Sequence, residues 1–270
     1  MRLRALAPGV RVATAQRWAT TTTVVDAGGT CLVVDPALTR ADLAGLAREL
    51  AGHRVVAAFS THPHWDHLLW HRDLGDAPRW ATPTAARHAR RGRTVLLAQG
   101  RAELGGDGLD ETVFAQVTAL EGPSVTGPTG EWAAVPLPWT GPEAVVVPYG
   151  AHAPGSAALV VAGVLVAGDV LSDREVPLLD PEDPDPLASH LAALDVLEAA
   201  AADLGVRWLV PGHGTATDAA GLADRLAADR AYLTALAGGR DADDPRLADP
   251  WVRAEHLAQV ARLRHLRGAH

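Results

Sequence analysis

The sequence contains no lysine, no asparagine and no isoleucine, and all 24 of its basic residues are arginine. Codons for the three missing residues are AT-rich, so a GC-rich coding sequence accounts for the pattern. The chemical consequence holds whatever the cause. There is no lysine for a Schiff base or a phosphate-binding loop, and no asparagine to donate to an oxyanion. Cysteine is scarce too: Cys31 is the only one, which excludes an internal disulfide framework and fits a reducing cytoplasm. It lies in a strand-like apolar run and reads as a small core residue, not a nucleophile. No run approaches the roughly eighteen apolar residues of a membrane span. Arg2 and Arg4 are followed by Pro8 and Gly9, which break the first apolar run, so no secretory signal is expected. A net charge of −8 argues against nonspecific attraction to nucleic acid. The expectation is a cytoplasmic chain that binds neither nucleic acid nor membrane. Its 270 residues, 48% hydrophobic, suffice for one large domain or two small ones.

Histidine, by contrast, is concentrated. His62-Pro63-His64-Trp65-Asp66-His67 places four candidate ligands in six residues. Imidazole and carboxylate suit zinc and other borderline first-row metals. The apolar run 55–59 just before reads as a buried strand, so the cluster sits where a strand gives way to a loop, with Pro63 stiffening the turn. Such an end is a rigid place from which to aim several ligands at one point.

The rest of the chain supplies a frame. Runs 10–15, 21–25 and 30–34 are short, β-branched and divided by turn signals, so they read as strands. Thr39 with Asp42 opens a helix to about residue 51; 80–82 is a short strand, and Pro83-Thr84 opens a helix to 91. From 92 to 142 glycine and proline are dense, which predicts loops, one short helix and a flap. Trp132 and Trp139 there read as core packing in preference to a pocket wall. Strands return at 144–148, 157–162 and 164–167, the last two a hairpin turning at Gly163. The acidic stretch 180–186 is a solvated connector without calcium-loop spacing. A helix at 187–204, a strand at 206–210 and two helices at 219–237 and 251–266 complete the pattern. It suggests a two-sheet α/β sandwich with helices outside.

Three more candidate ligands each follow an apolar run: His152 after 144–148, Asp169 after 164–167, and His213 after 206–210. Glycines beside Asp169 and His213 let the backbone turn sharply. Seven candidates at four strand ends allow two metals that share a bridging carboxylate. The remaining histidines, at 53, 71, 88, 190, 256, 265 and 270, read mostly as exposed. His190, soon after Asp169, is the one able to face the site. Tyr149 reads as core before substrate donor.

The set His-x-His-x-Asp-His, His then Pro-Gly-Ser, Gly-Asp, and Pro-Gly-His-Gly resembles the metallo-β-lactamase superfamily over roughly residues 10–235, in its broad hydrolase branch with glyoxalase II and lactonases. The resemblance implies an αββα four-layer sandwich, with a domain at 1–238 and a helical extension at 239–270 packed on it. It puts His62, His64 and His152 on one metal, Asp66, His67 and His213 on a second, and Asp169 between them. Ala153 departs from the threonine of many members but is no ligand. Two zinc ions, with iron or manganese as alternatives, would hold a hydroxide nucleophile. Asp66 is the catalytic candidate, orienting that hydroxide and passing a proton to the leaving group. Asp35 is the candidate acceptor behind a metal-bound imidazole.

The implied activity is hydrolysis of a small thioester, ester or lactone. A true β-lactamase is disfavoured, because relatives of that activity call for cysteine at Asp169 in two subclasses and often for lysine and asparagine. Glutathione recognition of the glyoxalase II kind would fall to Arg225, Arg230 and Arg253. The alternative is a persulfide dioxygenase using one iron at His62, His152 and Asp169. Diiron relatives carry Glu where this chain has His64. Substrate-binding residues and oligomeric state are not readable from the residues.

Overall fold

The structure, a computed structural model, describes residues 1–105, 109–121 and 133–268. A first sheet runs in chain order through β1 (Arg4–Ala7), β2 (Val10–Thr14), β3 (Thr21–Ala27), β4 (Thr30–Val34), β5 (Arg54–Phe59), β6 (Arg79–Ala81) and β7 (Thr118–Ala119). It is antiparallel up to β4 and parallel from β4 to β7. The parallel part is crossed by α1 (Arg40–Glu49) and α2 (Pro83–Leu104). The second sheet comprises β8 (Val135–Pro136), β9 (Ala144–Pro148), β10 (Ala157–Val161), β11 (Val164–Gly168), β12 (Trp208–Pro211) and β13 (Thr217–Asp218), ordered β13-β12-β11-β10-β9-β8. Against it lie α3 (Pro186–Asp203) and α4 (Ala219–Ala237), and α5 (Pro250–Gly268) joins the same apolar cluster.

Side-chain alternation builds the αββα sandwich. Leu32, Val34, Ala57 and Phe59 point inward to meet Leu159, Val161, Val164 and Val166 of the other sheet. Their neighbours Cys31, Val33 and Ala58 point out toward α1 and pack with Leu46 and Leu50. In the second sheet Val147, Val160 and Leu165 face α3 and α4, packing with Leu194, Leu197 and Leu233. Strands buried on both faces read as continuous apolar runs, which is why the central strands were visible in sequence. Cys31 is fully buried and its thiol is pushed up to about 11 by burial and by Asp26, as suits a core residue. Val252 and Leu263 of α5 join the cluster beneath α3 and α4. No described helix is long and apolar enough to cross a membrane.

Several elements differ from expectation, among them the two-residue strands β7, β8 and β13. The strand β1 has no clear apolar alternation; it exists because β2 offers it an edge. More consequential, α2 continues to Leu104 instead of ending near residue 91. The glycine density from 92 onward predicts loops, but Gly100 is a packing device. A Cβ there would meet Leu109 Cδ1 at 2.6 Å and the Trp65 ring at 2.8 Å. The helix thus lies directly on the residue that precedes Asp66. Gly100→Ala sets a helix-propensity gain of about 1 kcal/mol against an overpacking cost of about 1–3 kcal/mol. Urea unfolding is expected to show net destabilisation; a stabilised variant would refute the packing role.

Candidate metal centre

Four strand ends converge. After β5, Thr61 donates its N–H and hydroxyl to Asp35 Oδ1 and Oδ2 at 2.9 and 2.6 Å. Asp35 itself follows β4 in a left-handed conformation (φ 45°). This anchors the chain just before His62, and the short 3-10 turn Trp65–His67 then presents Asp66 and His67. His152, beyond β9, is held at φ 67°. Asp169 follows β11 through Gly168 at φ 69°, and His213 follows β12 through Gly212. Gly212 is dictated by Asp169: a Cβ there would lie 1.9 Å from Asp169 Oδ1.

All seven sequence candidates come together. Donor atoms of His62, His64, His152 and Asp169 form one group, and those of Asp66, His67 and His213 another, each group within 4.8 Å. His152 Nε2 is 3.0 Å from His64 Nδ1. Asp169 reaches both groups: Oδ2 is 3.4 Å from His62 Nε2 and His152 Nε2 and 3.3 Å from His213 Nε2, while Oδ1 is 3.1 Å from His67 Nε2. Asp66 Oδ2 lies 3.3 Å from His213 Nε2 and 3.5 Å from His67 Nε2. His64 is the member most open to solvent. Behind the group, His67 Nδ1 contacts Asp35 Oδ2 at 2.9 Å, so Asp35 occupies the supporting position expected of it. Around His213 Nδ1 stand the Trp18 carbonyl at 3.1 Å and Thr20 Oγ1 at 3.3 Å.

The electrostatics are those of a site built for positive charge. Burial opposes ionisation of Asp169, yet His213, His67 and His62 outweigh it and hold its carboxyl well below the usual range. Asp66 is likewise lowered against burial, chiefly by His67 and His213. Burial also opposes a proton on His67 and His213, but Asp169 leads the carboxylates that raise both well above 6.5. His62 goes the other way, lowered well below 6.5 by burial and by His67. His62 Nε2, His67 Nε2 and Asp169 Oδ1 are buried with no hydrogen-bond partner. Each such atom costs about 1–3 kcal/mol. His67 Nε2 and Asp169 Oδ1 are only 3.1 Å apart, but their orientation makes no hydrogen bond. Lone pairs left unmatched on nitrogen and carboxylate oxygen are what a divalent cation satisfies. The residues fit a metal.

Other expectations are revised. His190 and His256 are buried, not exposed. His256 shares a 2.9 Å hydrogen bond with the Tyr232 hydroxyl, while both ring nitrogens of His190 lack a partner. The Tyr149 hydroxyl donates to Ala167 O at 2.7 Å, which confirms its core reading. Trp139 packs against the inter-sheet core and donates to Pro142 O; Trp132 lies outside the described residues. Arg225 donates to Leu171 O and Thr215 O, and Arg230 pairs with Asp195 and Glu198, so both spend their charge within the fold. Sequence reading missed Glu175. It lies 3.9 Å from His213 Nδ1, and burial, moderated by His213, pushes its carboxyl up to about 7. Nothing in its local sequence marks it.

The family model described as the metallo-beta-lactamase superfamily matches residues 15–213. No curated protein matches the chain. Among solved structures, a metallo-beta-lactamase family protein from Thermus thermophilus is 24% identical at TM-score 0.61, covering 87% of this chain and 83% of its own. A metallo-beta-lactamase from Hirschia baltica is 17% identical at TM-score 0.54, over 84% of this chain and 96% of its own. A stereoselective inverting sec-alkylsulfatase from Pseudomonas sp. is 17% identical at TM-score 0.60 over 87% of this chain, which spans only 42% of that protein. At these identities the likeness is one of fold.

His190 generates a pH prediction. Burial, with His152 adding to it, lowers its pKa from 6.5 to about 3. The unfolded chain therefore takes up this proton first, so its contribution is intact above about 6.5 and lost as pH falls toward 3. Urea midpoints of His190→Leu should fall less steeply than wild type across that window. Parallel profiles would contradict the assignment.

Proposed function

The chain belongs to the metallo-beta-lactamase superfamily, and on that premise we propose that it is a metal-dependent hydrolase of a small thioester, ester or lactone, working with two ions, zinc in the first instance. The observation that carries this is the convergence of seven donors at one point with buried lone pairs unmatched. In this reading His62, His64 and His152 hold one ion, Asp66, His67 and His213 the other, and Asp169 lies between them. Bound there, the ions supply a Lewis acid for the substrate carbonyl and water that ionises near neutral pH.

The chain's own residues do the rest. Asp35 and Thr61 fix the first ligand loop before any ion arrives. Asp66, one of the residues that would hold the second ion, orients the attacking water, takes the proton it gives up and passes it to the leaving group. With no lysine in the chain and Arg225 and Arg230 engaged within the fold, only exposed Arg253 of the three named arginines is left for an anionic glutathione tail. The sulfatase relative acts on sec-alkyl sulfates, which makes a sulfate ester a fair competitor in the same trial.

Elemental mass spectrometry of protein expressed without added metal is the deciding measurement, followed by a panel of thioesters, lactones, carboxylic esters and sec-alkyl sulfates. Close to two zinc per chain with turnover of an acyl substrate is expected. A single iron would overturn the hydrolase and direct the work to oxygen consumption with persulfides. Gly212→Ala, which drives a methyl into Asp169, is expected to lose at least one ion while remaining folded by circular dichroism. Wild-type metal content in that variant would remove Asp169 from its bridging place.

A further inference from the structure

The two donor groups are supported differently. His67 has a carboxylate, Asp35, behind its outer nitrogen at 2.9 Å, and His213 faces Glu175 Oε1 at 3.9 Å across its own. In the other group His62 Nδ1 meets only the uncharged Thr61 hydroxyl at 3.0 Å, and His152 Nδ1 has no partner. Among the described residues, a carboxylate within 4 Å of a ligand's outer ring nitrogen stands only behind His67 and His213.

The backbone at Glu175 is held in place by a network of hydrogen bonds and ion pairs. Ser172 Oγ donates to His213 O at 2.7 Å and accepts from the Glu175 N–H at 3.1 Å, which ties the two backbones together. Arg246 Nη1 donates to Ser172 O and Glu175 O, both at 2.9 Å. The guanidinium is itself fixed by Asp229 Oδ1 at 2.6 Å and by Asp244 at 2.7 and 3.0 Å. Asp229 is 1% exposed, and its other oxygen accepts from Leu171 N at 3.2 Å. A buried ion triad of this kind is costly to assemble, and it fixes the main chain on either side of Glu175. The Glu175 side chain is only 14% exposed, yet its carboxylate makes no hydrogen bond to the described residues. An ionised carboxylate so placed is unfavourable unless compensating positive charge lies nearby.

We infer that Glu175 is a positioning residue: an outer carboxylate that orients His213 and strengthens the Asp66–His67–His213 group for a divalent cation, with Arg246, beyond the family-matched residues, as its holder. The inference rests on the two-ion reading above. The nearer Trp18 carbonyl sets the imidazole's tautomer, and Glu175 adds charge through space. Outer partners of this sort are typically worth 10–100-fold in metal affinity.

The test is a cobalt(II) titration of the full chain after chelator stripping, followed by visible absorption and chelator competition, to give two dissociation constants. In Glu175→Gln, one constant is expected to weaken by about 10-fold or more while the other holds. Glu175→Asp, which keeps the charge, should restore most of the loss, and the melting temperature of the metal-free Gln variant should not fall. Two unchanged constants, or two that weaken together, would overturn the role of Glu175 alone. A wild-type chain that takes up no cobalt would overturn the metal reading itself. A raised KM with both constants intact would make Glu175 a substrate contact and sink the inference.

Discussion

The structure is organised around one buried carboxylate. Asp169 stands within 3.4 Å of four imidazoles, and much of its surroundings exists to make that tolerable. Gly212 lacks a side chain because Asp169 fills the space. Gly168 turns at positive φ to deliver it from the strand. Burying a carboxylate costs several kcal/mol unless positive charge surrounds it. In the metal-free chain the surrounding imidazoles offset that charge; a bound cation would offset it more strongly. The same arrangement that makes the site stable when empty makes it receptive to cations.

Legibility in sequence followed the range of the interactions. The His62–His67 cluster is local, so spacing alone revealed it. His152, Asp169 and His213 lie far apart in the chain, but each marks the end of an apolar run, and strands with both faces buried are hard to miss. Paired edges of two residues, such as Thr118–Ala119 and Thr217–Asp218, carry no pattern of their own. Their form is imposed by the neighbouring strand.

What sequence hid was support at a distance. Glu175 sits in an unremarkable loop and gains meaning only because Ser172 and Arg246 bring its backbone to His213. His190 is marked in sequence only by its place soon after Asp169; it is α3 that turns it inward. Gly100 falls in a glycine-dense stretch that reads as loop, yet it lets α2 lie on Trp65. The partners that matter most, Arg246 and His213 for Glu175 and Trp65 for Gly100, lie dozens of residues away, and a residue's type does not announce whom it will meet.

The donors of each group come from both sheets. His62 and His64 arrive from the first and His152 and Asp169 from the second; Asp66 and His67 share their group with His213 across the same divide. Nearby, Thr21 N donates to Gly212 O and Thr20 bridges His213, stitching the sheets along that edge. Neither half can offer a complete coordination set alone. Uptake of a cation there would therefore report on assembly: a molecule whose sheets have docked out of register has no site to fill, and one that filled it would be clamped against reopening.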